Sequence, residues 1–272
     1  MKIRHFTPFS RPKKNLVGIG DRIYSRLIYK YMPFSTALIC LENNTIRFTV
    51  PSEWPDPFEK LYYQANYKNV LQGGDFRRDF LACCLTIAEN CEAAWKIYTN
   101  DYENDPCVQF KIGIKQFRKC IDDYANNNKI KVYEGKVSYD LSDSMIYEIS
   151  KKSNKLYFKF FNDFDMEKYL NLLLLKRKFF AYEDEIRYFA QEEAFSGARF
   201  IDFNIPWCYC LKSVTLPPLS DFKKIKQFKQ EVELALDSNL KLCQEKFEDL
   251  KVMPPSVEMN PLYENIGLIT IE

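Results

Sequence analysis

Two glutamates and an arginine alternate along an aromatic-rich stretch of the chain, residues 175–190. Such a density of aromatic residues is typical of a strand, on which alternate residues share a face and lie about 7 Å apart. Glu183, Glu185 and Arg187 are therefore predicted to lie on one face. Two carboxylates and a guanidinium are costly to bury and ordinary to expose. The pattern leaves open either a solvated charged face or a catalytic or ligand-orienting carboxylate paired with an arginine in a cleft.

The rest of the composition restricts which groups could carry out chemistry. The single histidine, His5, lies in a polar N-terminal segment, so acid–base work would fall to carboxylates, lysine, tyrosine or cysteine. Nine cysteines occur without a CxxC pair, which argues against a structural zinc site. They are expected to be reduced and mostly buried, with Cys208 and Cys210 on one face of a strand.

Length and charge narrow the class of protein. The 272 residues suffice for one large domain or two small ones, and the net charge of +2 argues against a dedicated binder of polyanions. The sequence contains neither a run of about 18 apolar residues nor the apolar core of a signal peptide. We therefore expect a cytoplasmic protein without a membrane partner.

The order of elements predicts an α+β fold with a mixed or antiparallel sheet and flanking helices. An N-terminal arm (1–20), a core domain (21–218) and a C-terminal helical extension (219–272) packed on that core are expected. Predicted strands are 27–32, 45–50, 80–86, 107–112, a strand or hairpin at 131–139, 199–203, 214–216 and 266–271; predicted helices are 33–42, 92–98, 115–126, 142–175 and 221–252, the last with a split at 237–239.

Several separated motifs follow one another in an order that resembles a bacterial family called domain of unknown function 2971. The resemblance covers about residues 27–190. The motifs that carry it are Tyr29-Lys30-Tyr31, Pro51-Ser52-Glu53-Trp54-Pro55-Asp56-Pro57-Phe58-Glu59, Cys84-Leu85-Thr86, Ala94-Trp95-x-x-Tyr98, Cys107-Val108-Gln109-Phe110, Val137-Ser138-Tyr139, Lys176, and Tyr182-Glu183-x-Glu185-x-Arg187.

The chain departs from the pattern of that family at several positions. Trp54 stands where the family usually has phenylalanine, Pro55 where it has asparagine, and Thr86 where it has serine. The change at Pro55 matters most, because an asparagine side chain could hydrogen-bond a ligand and proline cannot.

The layout is also similar to the ADP-ribosyltransferase superfamily, with an aromatic and basic first strand and a late E-x-E strand. That similarity implies NAD as substrate, Glu185 as the catalytic glutamate and Glu183 as the residue that orients the acceptor. A fixed carboxylate would stabilise the positive charge that builds at the anomeric carbon. The resemblance further implies cofactor-binding roles for Tyr29, Lys30, Tyr31, Ser52, Asp56, Thr86, Trp95, Tyr98, Lys176 and Arg187.

Each of these residues also has an ordinary structural interpretation. Tyr29 and Tyr31 could be residues at the core edge, and Trp95 with Tyr98 could belong to the core. Arg187 is expected to pair with Glu183 or Glu185. Asp56 and Glu59 could cap a turn and a helix, and Lys176 could be a solvated helix end.

Three functions remain open at this level. The first is an ADP-ribosyltransferase-like enzyme that modifies RNA, DNA or protein, a toxin or anti-phage effector with an antitoxin or regulatory partner. The second is a nuclease with Mg²⁺ held by Asp56, Glu59, Glu183 and Glu185 and with Lys176 on a phosphate. The third is a non-enzymatic ligand-sensing or interaction module that docks a partner through residues 221–252.

Overall fold

The structure is a computed structural model. It describes residues 16–19, 25–54, 56, 59, 80–89, 91–151, 166–191, 198–217, 222–246 and 255–258. The chain divides into two compact units. Unit 1 comprises residues 1–24, 47–84 and 122–202, and unit 2 comprises residues 25–46, 85–121 and 203–272. The domain boundaries expected from the sequence stay predictions.

Strands and helices alternate irregularly along the chain. The strands are β1 (Leu16–Ile19), β2 (Leu27–Pro33), β3 (Thr45–Thr49), β4 (Phe80–Thr86), β5 (Cys107–Gly113), β6 (Lys131–Lys136), β7 (Ser138–Leu141), β8 (Leu175–Arg177), β9 (Glu185–Gln191), β10 (Phe200–Asn204), β11 (Leu211–Thr215) and β12 (Ser256–Glu258). The α-helices are α1 (Phe34–Asn43), α2 (Glu92–Ile97), α3 (Ile114–Asn128), α4 (Asp143–Ser150), α5 (Met166–Leu173), α6 (Trp207–Cys210) and α7 (Phe222–Lys246), and 3₁₀ helices cover Pro51–Glu53 and Lys178–Glu183.

In unit 1, β6 lies between β1, which runs parallel to it, and β9, which runs antiparallel. β4 follows β9 in the sheet and pairs antiparallel with β3, while β7 and β8 form a separate parallel pair. Helix α5 supplies much of the core of this unit. Its buried residues Tyr169, Leu170 and Leu173 pack with Phe80 and Phe189.

In unit 2, β2 pairs antiparallel with β4 and with β5, and β5 pairs antiparallel with β11. Strand β12 continues the sheet in parallel with β11. Helices flank the sheet, with Trp207 of α6 in edge contact with Phe110 of β5. The α+β class, with a large, mostly antiparallel sheet and flanking helices, is therefore confirmed.

Some of the predicted elements are wrong in detail. The expected strand over 175–190 is divided into β8, a 3₁₀ helix and β9. The C-cap of the 3₁₀ helix is Asp184, whose left-handed conformation (φ 39°) occurs in no regular strand. Strand β1 occupies part of the expected N-terminal arm, and α7 is not split. β6 and β7 do not form a hairpin, since β6 pairs with β1 and β9. The strand predicted at 266–271 lies outside the described residues.

The cysteines also differ from expectation. Cys208 and Cys210 lie in helix α6, which begins directly after Pro206, rather than on a strand. Cys208 is disulfide-bonded, so the expectation that the thiols are reduced is wrong at this position. Most of the other cysteines with described side chains are buried free thiols. No helix in the described part of the chain is long and apolar enough to cross a membrane.

Candidate functional site

A cluster of buried charged side chains lies in unit 1, where β8, the 3₁₀ helix Lys178–Glu183 and β9 follow one another. Glu185 and Arg187 alternate on β9 and share a face, as predicted. Glu183 is the last residue of the 3₁₀ helix, so its predicted place on that strand face is wrong. Asp184 separates the two glutamates and binds Lys136 through an ion pair of 2.8 Å.

Arg187 is the centre of this cluster and is only 1% exposed. Its Nε donates to Glu185 Oε1 at 3.0 Å and its Nη2 donates to Glu185 Oε2 at 2.9 Å. Nη2 also donates to the carboxylate of Glu59, and Nη1 to the carbonyl of Leu173. The guanidinium lies over the Trp54 ring, 4.1 Å from its centroid. The expected pairing of Arg187 with Glu185 is confirmed, and the solvated charged face is wrong because this side chain is buried.

Lys176 connects the two glutamates of the E-x-E motif. Its Nζ donates to Glu183 Oε2 at 2.5 Å and to Glu185 Oε2 at 3.2 Å. The residue is buried on β8, so its interpretation as a solvated helix end is wrong. Its ammonium also lies 5.0 Å from the centroid of the Phe180 ring. One buried cation therefore holds both carboxylates in a fixed arrangement.

The pKa values of the two glutamates bound to Lys176 are shifted in opposite directions. Burial raises the pKa of Glu185, but the charges of Arg187 and Lys176 outweigh burial and lower that pKa to about 2. For Glu183, burial dominates over the attraction of Lys176 and raises the pKa. Burial likewise raises the pKa of Glu59 despite Arg187. Glu185 is thus ionised at every physiological pH, whereas Glu183 is the better proton acceptor.

The side chains of Glu183 and Glu185 also differ in their exposure to solvent. Glu185 has a side chain that is 7% exposed, whereas the side chain of Glu183 is 22% exposed. Both oxygens of Glu185 already accept hydrogen bonds from cationic groups. Of the two carboxylates, Glu183 is therefore the one that a substrate can reach more readily.

Several residues that support the cluster were not singled out from the sequence as site residues. The Tyr139 hydroxyl accepts a hydrogen bond of 2.8 Å from the Glu185 backbone N–H at the start of β9. Arg177 binds Asp56 through Nη2 and Nε at 3.2 and 3.3 Å. Tyr139 stood in one of the quoted motifs, but nothing in the sequence links Asp56 to an arginine 121 positions away.

Asp56 and Ser52 are the other predicted site residues of unit 1, and only Asp56 lies beside β8. Asp56 is buried and lies beside β8 through its pair with Arg177. Ser52 is half-buried in the 3₁₀ helix Pro51–Glu53, and no hydrogen bond joins it to the charged cluster within the described residues.

The candidates on β2 and β4 belong to unit 2 and have protein partners. The Tyr31 hydroxyl donates to the Glu89 carbonyl at 2.7 Å and accepts from Gln109 Nε2 at 2.6 Å. Trp95 is buried and contacts the edge of the Tyr31 ring, with centroids 5.3 Å apart. Both belong to a small core cluster, which matches their structural interpretation.

The remaining predicted site residues of unit 2 range from buried to exposed. Tyr29 is buried and hydrogen-bonds the Glu89 side chain. Thr86 Oγ1 accepts from the Ala88 N–H at 2.8 Å, and Tyr98 is 44% exposed directly after α2. Lys30 is half-buried on β2.

The carboxylates proposed for a Mg²⁺ nuclease do not form a metal centre. Glu59 and Glu185 both bind Arg187, and Asp56 binds Arg177. Across the side chains that the structure describes, no group of three or more histidine, cysteine, aspartate or glutamate residues is placed to hold a metal ion. The geometry therefore gives the nuclease no specific support.

Comparison of the chain with protein-family models, with curated proteins and with solved structures finds no match.

Proposed function

We propose that this chain is an ADP-ribosyltransferase-like enzyme that uses NAD to modify a macromolecule. The observation that carries the proposal is the pair of glutamates on Lys176, whose environments move their pKa values in opposite directions. Such divergence is typical of sites that need one permanently ionised carboxylate and one that exchanges a proton. The resemblance to the family and superfamily named above supports the choice of NAD.

In the proposed reaction, the bond between the nicotinamide nitrogen and the ribose anomeric carbon breaks. The bonding electrons leave with nicotinamide, which loses its positive charge, and positive charge appears on the ribose. A nucleophile of the acceptor then bonds to the anomeric carbon and gives up its proton. Glu183 takes that proton, because its pKa is raised and its side chain is the more exposed.

Glu185 has a different role in this scheme. Its two oxygens are bound by Arg187 and Lys176, so it holds the lysine ammonium beside Glu183 and keeps the site rigid. The geometry therefore favours Glu183, rather than Glu185, as the carboxylate that contacts substrate. The cofactor-binding roles of the unit 2 residues rest on the resemblance alone, as does the role of the protein as a bacterial toxin or anti-phage effector.

The test is release of nicotinamide from NAD by the full chain, with and without total cell extract as a source of acceptor. Three variants are compared with wild type: Glu183→Gln, Glu185→Gln, and Glu148→Gln as a control on the surface of helix α4. Thermal unfolding of each variant is measured in parallel, because Glu185→Gln weakens a buried ion pair.

We expect Glu183→Gln to unfold at or above the wild-type temperature and to release nicotinamide at least about 100 times more slowly, since loss of a general base costs 10²–10⁴ in rate. Glu148→Gln should match wild type in both measurements. The proposal is contradicted if wild type releases no nicotinamide even with extract present and if NAD does not raise its melting temperature.

A further inference from the structure

A second group of polar side chains crosses the sheet of unit 2 on a single face. In the register of the sheet, Tyr29 lies opposite Thr86 on one side and Lys111 on the other. Lys111 in turn lies opposite Ser213, and Ser213 lies beside Ser256. Residues directly opposite each other on neighbouring strands share a face, so these side chains form one polar row across β4, β2, β5, β11 and β12.

An adjacent row repeats the pattern two residues further along the strands. Tyr31 lies opposite Gln109, Gln109 opposite Thr215, and Thr215 beside Glu258. Tyr29 and Tyr31 are packed in the core cluster that contains Trp95. Because side chains two positions apart on a strand share a face, the two rows lie together on one face of the sheet. We call it the polar face of unit 2.

The polar face is buried at its centre and open at its rim. Gln109, Ser213 and Thr215 are buried, whereas Ser256 and Glu258 at one end are exposed. Buried polar side chains require partners, and burying a hydroxyl without one is unfavourable. In sites for small ligands, a few precisely placed polar groups fix the orientation of the ligand.

Ser213 provides an independent observation. Its side chain is 1% exposed, and its Oγ has no hydrogen-bond partner among the residues that the structure describes. Strand register places it between Lys111 and Ser256, on the polar face. A buried hydroxyl without a partner costs stability, so an alanine would suit the fold better at this position. Its presence is explained if a ligand supplies the missing hydrogen bond.

The charges on the polar face, together with Glu89 beside it, indicate an uncharged ligand. Lys111 Nζ is 2.9 Å from Glu89 Oε1, so its charge is neutralised by that carboxylate. Glu258 adds a second carboxylate close enough to act electrostatically on Lys111. An anion would be repelled by this arrangement. Hydroxyl groups suit it, because they donate to carboxylates and accept from an ammonium group and from a serine.

We propose that the polar face of unit 2 binds an uncharged polyhydroxylated ligand, a monosaccharide unit, whose hydroxyls hydrogen-bond to Glu89, Lys111 and Ser213. The polar face includes Tyr29, Tyr31 and Thr86, to which the resemblance assigns NAD binding, but it does not include the glutamate pair on Lys176.

The test is ligand-observed saturation-transfer NMR on the full chain with three separate probes: D-glucose, D-ribose and inorganic phosphate, the last followed by ³¹P line broadening. Ser213→Ala is compared with Ser144→Ala, a serine on the exposed surface of helix α4. Melting temperature is recorded for each variant. D-ribose is also part of NAD, so the comparison of Ser213→Ala with Ser144→Ala is what distinguishes binding at the polar face from binding at the proposed NAD site.

We expect wild type and Ser144→Ala to transfer saturation to at least one sugar. Ser213→Ala should melt at or above the wild-type temperature and bind that sugar about two- to tenfold more weakly, the effect of one hydrogen bond. A merely structural serine would give the same change in melting without the loss of binding. The proposal is overturned if neither sugar binds, if phosphate alone binds, or if Ser213→Ala binds sugar as tightly as wild type.

Discussion

Arg187 donates from Nε and Nη2 to the two carboxylate oxygens of Glu185, which precedes it by two positions on the same strand. Strand geometry places such residues on one face, and the planar guanidinium matches the two oxygens of a carboxylate. The pair is enclosed by Glu59 and Lys176, so each charge in it has more than one opposite charge as neighbour. Because both Glu185 and Glu59 are buried against it, desolvation makes the cluster sensitive to the loss of the Arg187 guanidinium.

Replacement of Arg187 by methionine tests that sensitivity. The variant leaves Glu185 and Glu59 buried without the guanidinium that both bind. We expect the free energy of unfolding to fall by about 3–5 kcal/mol, as is common when one partner of a buried ion pair is removed. Urea denaturation followed by circular dichroism measures the change.

Arg199→Met is the matched control for this experiment. Arg199 pairs with Glu53 on the surface, with a side chain that is 79% exposed. Surface ion pairs contribute about 0–1 kcal/mol, so this variant should unfold close to wild type. Equal losses from the two substitutions would show that the buried cluster has no special energetic role.

Glu183 should make stability depend on pH in a defined direction. Its pKa in the folded protein is raised above the ordinary value of 4.5. The folded state therefore binds more protons than the unfolded state above pH 4.5, and stability falls as pH rises through the raised pKa. Residue 183 cannot ionise in Glu183→Gln, so the stability advantage of this variant over wild type should grow over the range from pH 4.5 up to the raised pKa and then stay constant.

Melting temperatures of wild type and Glu183→Gln across that range measure the effect. Glu148→Gln, on the surface of helix α4, should show no such widening difference. A difference that shrinks as pH rises would mean that Lys176 stabilises the ionised form of Glu183 by more than burial destabilises it. Below pH 4.5 the opposite trend is expected from Glu185, whose lowered pKa of about 2 makes stability fall as acid protonates it.

The sequence allowed many elements to be predicted, because apolar runs and helical spacing reflect local preference. Strand β4 and helix α1 lie almost where those patterns place them. The break before β9 could not be found this way, since Asp184 in a left-handed conformation carries no strong local signal. A continuous strand would place Glu183 with Glu185, whereas the 3₁₀ helix gives them different exposure.

Long-range pairing explains the rest of what the sequence did not reveal. Lys176 is buried because its partners come from the 3₁₀ helix and from β9, and Glu59 joins them from 128 positions before Arg187. The polar face of unit 2 depends on the register of five strands, because each strand contributes at most one residue to each row. Registers are set by turns and by core packing that no single segment specifies.

Tyr139→Phe tests how the start of β9 is fixed. The substitution removes the acceptor of the Glu185 backbone N–H, which is otherwise bound at 2.8 Å. A buried donor without a partner costs about 1–3 kcal/mol, and we expect a loss in that range. Tyr147→Phe, at an exposed position of helix α4, should unfold like wild type. Identical unfolding of both variants would mean that water or another group replaces the Tyr139 hydroxyl.

Asn239 holds the middle of helix α7 through three hydrogen bonds. Its Oδ1 accepts from the Cys208 N–H at 3.1 Å, and its Nδ2 donates to the Leu41 carbonyl at 2.8 Å and to Asn44 Oδ1 at 2.6 Å. Asn239→Ala leaves these groups without their partner, so we expect the free energy of unfolding to fall by about 1–3 kcal/mol. Ser238→Ala, exposed on the same helix, is the control and should change stability by less than about 0.5 kcal/mol. Chemical denaturation of both variants decides the point, and an Asn239→Ala protein as stable as the control would show that α7 is held by its apolar face alone.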